Sequence, residues 1–234
     1  MPMGQAFGII VAGGDGIRMD AGMRKQYLML DGLPILGRTL LAIARVPEIC
    51  RIYLVVPEAD FTYCETVIIP PLNLDQPVTL VSGAKLRQES VYNGLIAVAG
   101  NSGIAVIHDG VRPFVSPACI RDCILCAEKE QACIVGIPAT DTIKKATDAG
   151  QVVRTVDRQA LWMAQTPQAF ELGYIRKAHE HARETGFMAT DDASIIENYG
   201  GQVKIIRGSP WNIKITTPDD LKLGELMLAG GLFP

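Results

Sequence analysis

Three glycines within four positions, Gly13, Gly14 and Gly16, are followed by Arg18 and then by Lys25. Glycine has no Cβ and accepts positive φ, so successive backbone N–H groups can converge on an anion. The segment Ala12-Gly13-Gly14-Asp15-Gly16-Ile17-Arg18-Met19 starts where the apolar run Phe7–Ala12 ends. Open α/β sheets bind ligands outside the carboxyl ends of their strands, so this is where a ligand loop belongs. One phosphate–cation contact at about 4 Å gives roughly 4 kcal/mol at an effective dielectric near 20. Holding a triphosphate and stabilising a leaving pyrophosphate therefore takes several cations. The loop is not a Walker A motif, which needs G-x-x-x-x-G-K-[ST]. It is not a dinucleotide fingerprint either, because Met19 stands where the third glycine of G-x-G-x-x-G belongs. The glycines alone also fit a tight strand-to-helix turn. With Arg18 and Lys25 attached, the segment points to nucleotidyl transfer.

Four further groups have chemical potential, each beside a plainer reading. Asp109 and Arg112, in His108-Asp109-Gly110-Val111-Arg112-Pro113, follow the apolar run Ala105–Ile107. They would sit at the same sheet edge as the glycine loop. There Asp109 would orient a hydroxyl or hydrated metal and Arg112 would bind phosphate bidentately; the alternative is a loop ion pair. His108 reads as a packing or capping residue. Ser90, in Arg87-Gln88-Glu89-Ser90-Val91, falls in a helical first turn, where it either meets a polar ligand or caps. Asn212-Ile213-Lys214-Ile215-Thr216 alternates like a strand, with Lys214 opposite the two isoleucines. Lys214 then faces either solvent or the cleft. Thr190-Asp191-Asp192 reads first as a helix N-cap.

The elements that must position these residues follow from hydrophobic periodicity. Phe7–Ala12, Ile52–Val56, Val78–Val81, Ala105–Ile107 and Cys133–Ile137 are short continuous apolar runs, as in strands covered on both faces. Helical stretches lie between them at Leu36–Ala44, Gln88–Val98 and Pro117–Glu130. This order predicts an α/β fold: a Rossmann-like three-layer domain over residues 1–234, with a mostly parallel central sheet. The rhythm breaks near Pro138. Thr142–Ala146 and Val152–Val156 read as a protruding β-arm, set within about residues 138–168 and suited to dimerisation. Helices are expected at Leu172–Glu184 and Asp191–Tyr199, and strands at Val203–Ile206 and Asn212–Thr216. Thr217-Pro218-Asp219-Asp220 opens the last helix, with Thr217 as N-cap and Pro218 at the first helical position.

Bulk properties narrow the class. The 234 residues carry a net charge of −3 with no basic stripe, which argues against extended nucleic-acid binding. No apolar run approaches the roughly 20 residues of a membrane helix. The N-terminus lacks the features of a secretory signal, and the six cysteines are too sparse for a disulfide scaffold. A cytoplasmic protein with reduced thiols is expected. The Cys119-x-x-x-Cys123-x-x-Cys126 spacing resembles an iron–sulfur triplet. These positions share one face of a predicted helix and read more simply as small buried residues.

Taken in order, these segments resemble the 2-C-methyl-D-erythritol 4-phosphate cytidylyltransferase family of the non-mevalonate isoprenoid pathway. The resemblance runs through Ala12–Met19, Lys25-Gln26-Tyr27-Leu28, Pro34-Ile35-Leu36, Arg87–Leu95, His108–Pro113 and Asp141–Lys144. It continues through Thr155–Arg158, Leu161-Trp162, Gln165–Gln168, Thr190–Ser194 and Asn212–Thr217. It implies that Arg18, Lys25 and Lys214 stabilise the transition state at the α-phosphate. It implies that Ala12, Gly13, Gly14 and Gly16 cradle the nucleotide, with Ala84, Lys85 and Ser90 at cytosine-reading positions and Asp109 and Gly110 beside the nucleotide. Arg112, Thr142, Arg158, Thr166 and Thr190 would bind the acceptor, Thr142 and Arg158 from a partner's arm. It further implies CTP and a polyol phosphate as ligands, Mg2+ carried mainly by the CTP phosphates, and a homodimer.

Several positions depart from the family pattern. Arg24 stands where proline is usual, Gly13 replaces an alanine, and Gly110-Val111 replaces a double alanine. Ala84-Lys85 replaces a glycine and a small or acidic residue. The Gly13 and Gly110-Val111 changes lean toward the sister ribitol-5-phosphate cytidylyltransferases; Ser90-Val91, Leu161-Trp162 and Asp192-Ala193-Ser194 lean back. Two other classes stand beside these: a non-catalytic nucleotide-binding module, and a sugar-1-phosphate nucleotidyltransferase using another base.

Overall fold

The computed structural model describes residues 5–13 and 24–231. The first apolar run forms β1 (Ala6–Val11), an interior strand of a seven-stranded sheet. After it come the two-residue strands β2 (Met29–Leu30) and β3 (Leu33–Pro34), α1 (Ile35–Ala44) and β4 (Ile49–Val56). The short α2 (Phe61–Tyr63) runs on into a π turn (Cys64–Ile68). Beyond it lie β5 (Val78–Ser82), α3 (Arg87–Ala97), β6 (Ile104–Asp109), α4 (Pro117–Glu130) and β7 (Ala132–Pro138). The arm is β8 (Ile143–Ala146) and β9 (Val152–Val156). Then come β10 (Trp162–Glu171), α5 (Leu172–Thr185), α6 (Asp192–Asn198), β11 (Lys204–Arg207) and α7 (Pro218–Ala229).

The sheet order is β11-β7-β10-β6-β1-β4-β5. β1 runs parallel to both neighbours, pairing Ile10 with Leu54 on β4 and with His108 on β6. Alternation along β1 splits the core. Ala6 and Ile10 join the cluster under α1 and α4, while Phe7 and Ile9 join the one under α3, α5 and α6. The mostly parallel sheet and its covering helices are as expected from the sequence. Cys119, Cys123 and Cys126 lie in α4, with Cys123 buried in the core and the other two packed on it. Thr217 caps α7 through a capping box with Asp220, with Pro218 in the first turn.

Two parts differ from the sequence reading. The polar segment Gln165–Gln168 lies within β10, which is antiparallel to both β6 and β7. Residues 162–168 thus belong to the central sheet, and the arm proper is the shorter β8–β9 hairpin, with Ile143 opposite Val156. The alternating segment Asn212–Thr216 is not a strand. It is irregular chain tied to its neighbour by the Ile215 N–H donating to the Val111 carbonyl at 2.9 Å. Its alternation still sorts side chains, because Ile213 and Ile215 pack into the cluster of Leu30, Val111, Phe114 and Met227.

α3 is held close to the sheet by Gly94. A Cβ there would sit 2.6 Å from Ile9 Cγ2 and 3.0 Å from Val55 Cγ2. Gly94→Val is expected to destabilise the protein by about 3 kcal/mol, the upper end of ordinary overpacking costs. A fall in urea midpoint at constant m value checks this; an unchanged midpoint would show that α3 stands off from β1.

Candidate active site

The carboxyl ends of β1, β4, β5 and β6 lie along one edge of the sheet, and a cleft of about 150 Å3 opens there. Val11, Ala12 and Gly13 enter it from β1, and Lys25 and Gln26 from the turn before β2. Ala84 and Lys85 come from the loop after β5, and Arg87 and Ser90 from the first turn of α3. Asp109 and Val111 come from the end of β6, and Lys214 from the segment before α7. Among the described residues Lys25, Lys85, Arg87 and Lys214 make the lining cationic, against a single carboxylate, Asp109. Such an excess suits a polyanionic ligand.

Asp109 organises the floor. It is buried, and its carboxylate meets Lys214 Nζ at 2.9 Å, Arg87 Nε at 3.3 Å and Arg112 Nε at 3.5 Å. Burial alone would raise the Asp109 carboxyl, but Arg87, Lys214 and Arg112 together hold it well below the usual carboxylate range. Arg87 also donates from Nη1 to Asp192 Oδ2 at 2.9 Å, so one guanidinium joins β6 to the start of α6. Burial opposes the Arg87 charge, and the two carboxylates more than restore it. Arg112 donates from Nη1 to the Asn212 carbonyl at 2.7 Å, and Asn212 Nδ2 donates to the Thr166 carbonyl at 2.8 Å. These bonds pin the irregular segment that carries Lys214.

His108 lies beneath Asp109. Its Nε2 is 3.1 Å from the Arg112 carbonyl, which can only accept, so Nε2 carries the proton. Nδ1 is then the acceptor for the Thr166 hydroxyl at 3.0 Å, and Thr166 Oγ1 accepts from the Asp109 N–H at 3.1 Å. The imidazole is neutral, and burial pushes its pKa down to about 4. His108 is thus a packed structural residue, in line with its sequence reading.

Ser90 holds the base of the α3 loop. Its Oγ accepts from the Ala84 N–H at 2.9 Å and lies 3.2 Å from the Ala84 carbonyl and 3.1 Å from the Leu86 carbonyl. Gly13 packs beside it, where a Cβ would be 3.6 Å from Ser90 Oγ. Gly110 does not line the cleft. A Cβ there would approach Ala12 Cβ to 2.8 Å, so glycine lets the ends of β1 and β6 close together.

Of the residues singled out from sequence, Ala12, Gly13, Lys25, Ala84, Lys85, Ser90, Asp109 and Lys214 line one cleft. Gly110, Arg112 and Thr166 support it from behind. Gly14, Gly16 and Arg18 lie outside the described residues. Thr142 and Arg158 are exposed on or beside the arm, and Thr190 is exposed ahead of α6; none lines this chain's own cleft. Asp191 is the α6 N-cap, in a capping box with Ser194. Gln26 and Arg87 are lining residues that had no role assigned from sequence. Both stand within recognised segments, at Lys25-Gln26-Tyr27 and Arg87-x-x-Ser90, but their partners are distant: Gln26 Nε2 donates to the Ala12 carbonyl at 2.7 Å.

The family model of IspD, 2-C-methyl-D-erythritol 4-phosphate cytidylyltransferase, matches residues 7–230. The chain belongs to this family. The enzyme of that name from Syntrophotalea carbinolica is 47% identical over 221 residues, covering 94% of each chain. That from Geotalea uraniireducens is 43% identical over 222 residues, covering 94% of this chain and 95% of its own. Among solved structures, 4-diphosphocytidyl-2C-methyl-D-erythritol synthase from Anaerococcus prevotii superposes with a TM-score of 0.85 at 32% identity, covering 97% of this chain and 96% of that one. The Francisella tularensis 2-C-methyl-D-erythritol 4-phosphate cytidylyltransferase gives 0.82 at 31% identity, covering 95% and 99%. Membership makes the chain a cytidylyltransferase, and both solved structures match it over almost the whole length.

The buried imidazole makes stability depend on pH. The His108 pKa falls from 6.5 unfolded to about 4 folded. Below pH 6.5 the unfolded chain takes up a proton that the folded one refuses, so stability declines as pH drops toward 4 and is fully present above 6.5. At 1.36 kcal/mol per unit the loss is on the order of 3 kcal/mol. Urea midpoints of the wild type and His108→Gln at pH 7 and pH 4.5 check this. The variant should lose much less stability over that interval; equal losses would assign the titration elsewhere.

Proposed function

We propose that this cleft binds CTP and transfers its cytidylyl group to 2-C-methyl-D-erythritol 4-phosphate, giving 4-diphosphocytidyl-2-C-methyl-D-erythritol and pyrophosphate. The observation that carries the reading is the convergence of Lys25 and Lys214, far apart in sequence, on a cleft at the carboxyl edge of a sheet from this family. The acceptor phosphate oxygen attacks the α-phosphorus in line, the bond to the bridging oxygen breaks, and pyrophosphate leaves with its electron pair. No covalent enzyme intermediate is required. Arg18, Lys25 and Lys214 stabilise the charge on the pentavalent phosphorus and the leaving group. Catalysis is then positioning and electrostatic stabilisation. Gly13, Gly14 and Gly16 supply backbone donors, Ala84, Lys85 and Ser90 frame the base, and Arg112, Thr166 and Thr190 serve the acceptor side.

Among the described residues no three His, Cys, Asp or Glu side chains cluster to hold a metal. Among the described residues Asp109 is the one carboxylate in the lining, which fits Mg2+ held chiefly by the triphosphate, with Asp109 as the lining carboxylate that could help hold it. The ion would neutralise phosphate charge. On this reading residues 1–234 form one nucleotidyltransferase domain acting in the cytoplasm. Separately, no helix among the described residues is long and apolar enough to cross a membrane.

The arm supports a homodimer. A two-stranded hairpin is marginal by itself in water, and β9 leaves Val152 63% and Val153 58% exposed. A second copy covering this hairpin would bring its Thr142 and Arg158 to the acceptor. Val152→Asp/Val153→Asp is therefore expected to run as a monomer in sedimentation and to lose activity in parallel. A fully active monomer would remove the arm from the mechanism.

Pyrophosphate release tests the reaction itself. CTP with 2-C-methyl-D-erythritol 4-phosphate should exceed UTP or ATP with the same acceptor, and CTP with ribitol 5-phosphate. Lys25→Ala and Lys214→Ala should each lower kcat by about 100-fold, the usual loss when one transition-state donor is removed. Preference for ribitol 5-phosphate, or near-normal kcat in either variant, would overturn the corresponding part of the reading.

A further inference from the structure

Lys25 stands in a short turn, Lys25–Tyr27, whose two flanks are tied to different strands of the sheet. On one side Gln26 donates to the Ala12 carbonyl at the end of β1. On the other, Arg24 Nε lies 3.1 Å from Asp60 Oδ2, and the Tyr27 hydroxyl donates to the same oxygen at 2.8 Å. Asp60 is itself fixed just beyond β4, its N–H donating to the Pro57 carbonyl at 2.9 Å. Tyr27 is buried and packs edge-on against Tyr63, with ring centroids 5.1 Å apart. One carboxylate thus receives the residue before Lys25 and the residue two after it. Neither Arg24 nor Asp60 lines the cleft.

We propose that Arg24 and Asp60 are positioning residues for Lys25: their ion pair fixes the start of the turn that presents the Lys25 amine to the reacting phosphate. The proposal rests on the reading of Lys25 as a transition-state ligand. The physical reason is reach. A lysine side chain is flexible, so the place its amine occupies most of the time is set by its backbone, and a misplacement of about 1 Å can cost on the order of 100-fold in rate. Arg24 has φ −65° and ψ 136°. That φ is the one a proline ring imposes. The ion pair therefore holds by electrostatics a turn geometry that a ring would hold covalently. Its side chains are 30% and 16% exposed. A pair this far buried costs some stability when one partner is removed, so the kinetics are read beside the melting curves of each variant.

The test is steady-state kinetics of pyrophosphate release, with melting curves, on Arg24→Met, Asp60→Asn, their double variant, Arg24→Pro, Arg24→Pro/Asp60→Asn and Lys25→Ala. Asp60→Asn keeps an acceptor for Tyr27, so it removes only the charge. Assays run below the lowest melting temperature of the set. Arg24→Met and Asp60→Asn should each lower kcat about tenfold, with KM for CTP within about twofold, and the double variant should be no slower than either single. Arg24→Pro should return kcat to within about threefold of wild type, and adding Asp60→Asn to it should change nothing further. A raised KM with intact kcat in Arg24→Met would make Arg24 a phosphate ligand and overturn the proposal. Additive losses in the double variant, or no rescue by proline, would also overturn it. If Lys25→Ala is slow while the Arg24 and Asp60 variants keep normal kcat, the positioning role alone fails. If Lys25→Ala keeps its turnover, the reading of Lys25 fails and the proposal with it.

Discussion

A buried carboxylate surrounded by cations from separate parts of the chain holds the cleft together. Asp109 ends β6, Arg87 opens α3, Arg112 follows in the next turn, and Lys214 arrives from the segment before α7. A buried acid left alone would be strongly disfavoured, and a cluster of cations left alone would repel itself. Each makes the other tolerable, and satisfying both draws β6, α3 and the distal segment to one point. The arrangement leaves a net positive site, because Asp109 cannot neutralise three cations. Part of the charge on Arg87 is spent on Asp192. The remaining field faces the cleft, where a phosphate would complete it.

The second layer explains why polar residues run through the centre of the sheet. β10 carries Gln165, Thr166 and Gln168, all buried. Gln168 Oε1 accepts from the Asp192 N–H at 3.0 Å and the Ala193 N–H at 3.2 Å, while its Nε2 donates to Asp191 Oδ2 at 2.9 Å. It thus satisfies donors at the α6 N-terminus that no helix carbonyl can reach. Thr166 meets both His108 and the Asp109 backbone. A polar strand in this place links α6 to the site floor, which an apolar one could not do.

This also defines what was legible in the sequence. Strands covered by helices on both faces show as unbroken apolar runs, and β1, β4, β5, β6 and β7 were found that way. β10 serves the same sheet with buried glutamines and threonine, so its pattern shows only a polar extended segment; its partners, tens of residues away, identify it as a sheet strand. Asn212–Thr216 gives the converse case. Its alternation is real, since Ile213 and Ile215 pack inward and Lys214 reaches Asp109, but no ladder of backbone bonds accompanies it. Periodicity reports which side faces the core, not what the backbone is bonded to. Lys25 and Asp109 were readable because their charges lie next to a glycine loop or an apolar run; alternation left Lys214 facing either solvent or the cleft, and the family resemblance placed it at the site. The dual role of Arg87 was not, because Asp192 is 105 residues away.

The loop after β5, where the sequence departs from the family pattern, is held by its backbone. Ala84-Lys85 stand where a glycine and a small or acidic residue are usual, which from sequence alone puts reading of the base in question. In the structure the loop is braced from below: the Ala84 N–H is tied to Ser90 Oγ, and the Ser90 hydroxyl faces the Ala84 and Leu86 carbonyls. Ser90 is buried in the first turn of α3, so the brace is anchored to a regular element. Lys85 is exposed and takes no part in it. The course of the chain past the cleft is therefore fixed by a serine five residues further on. The side chain at position 85 adds charge to the cleft lining. The Ala84 N–H, not the side chain at position 85, is what ties this loop to α3.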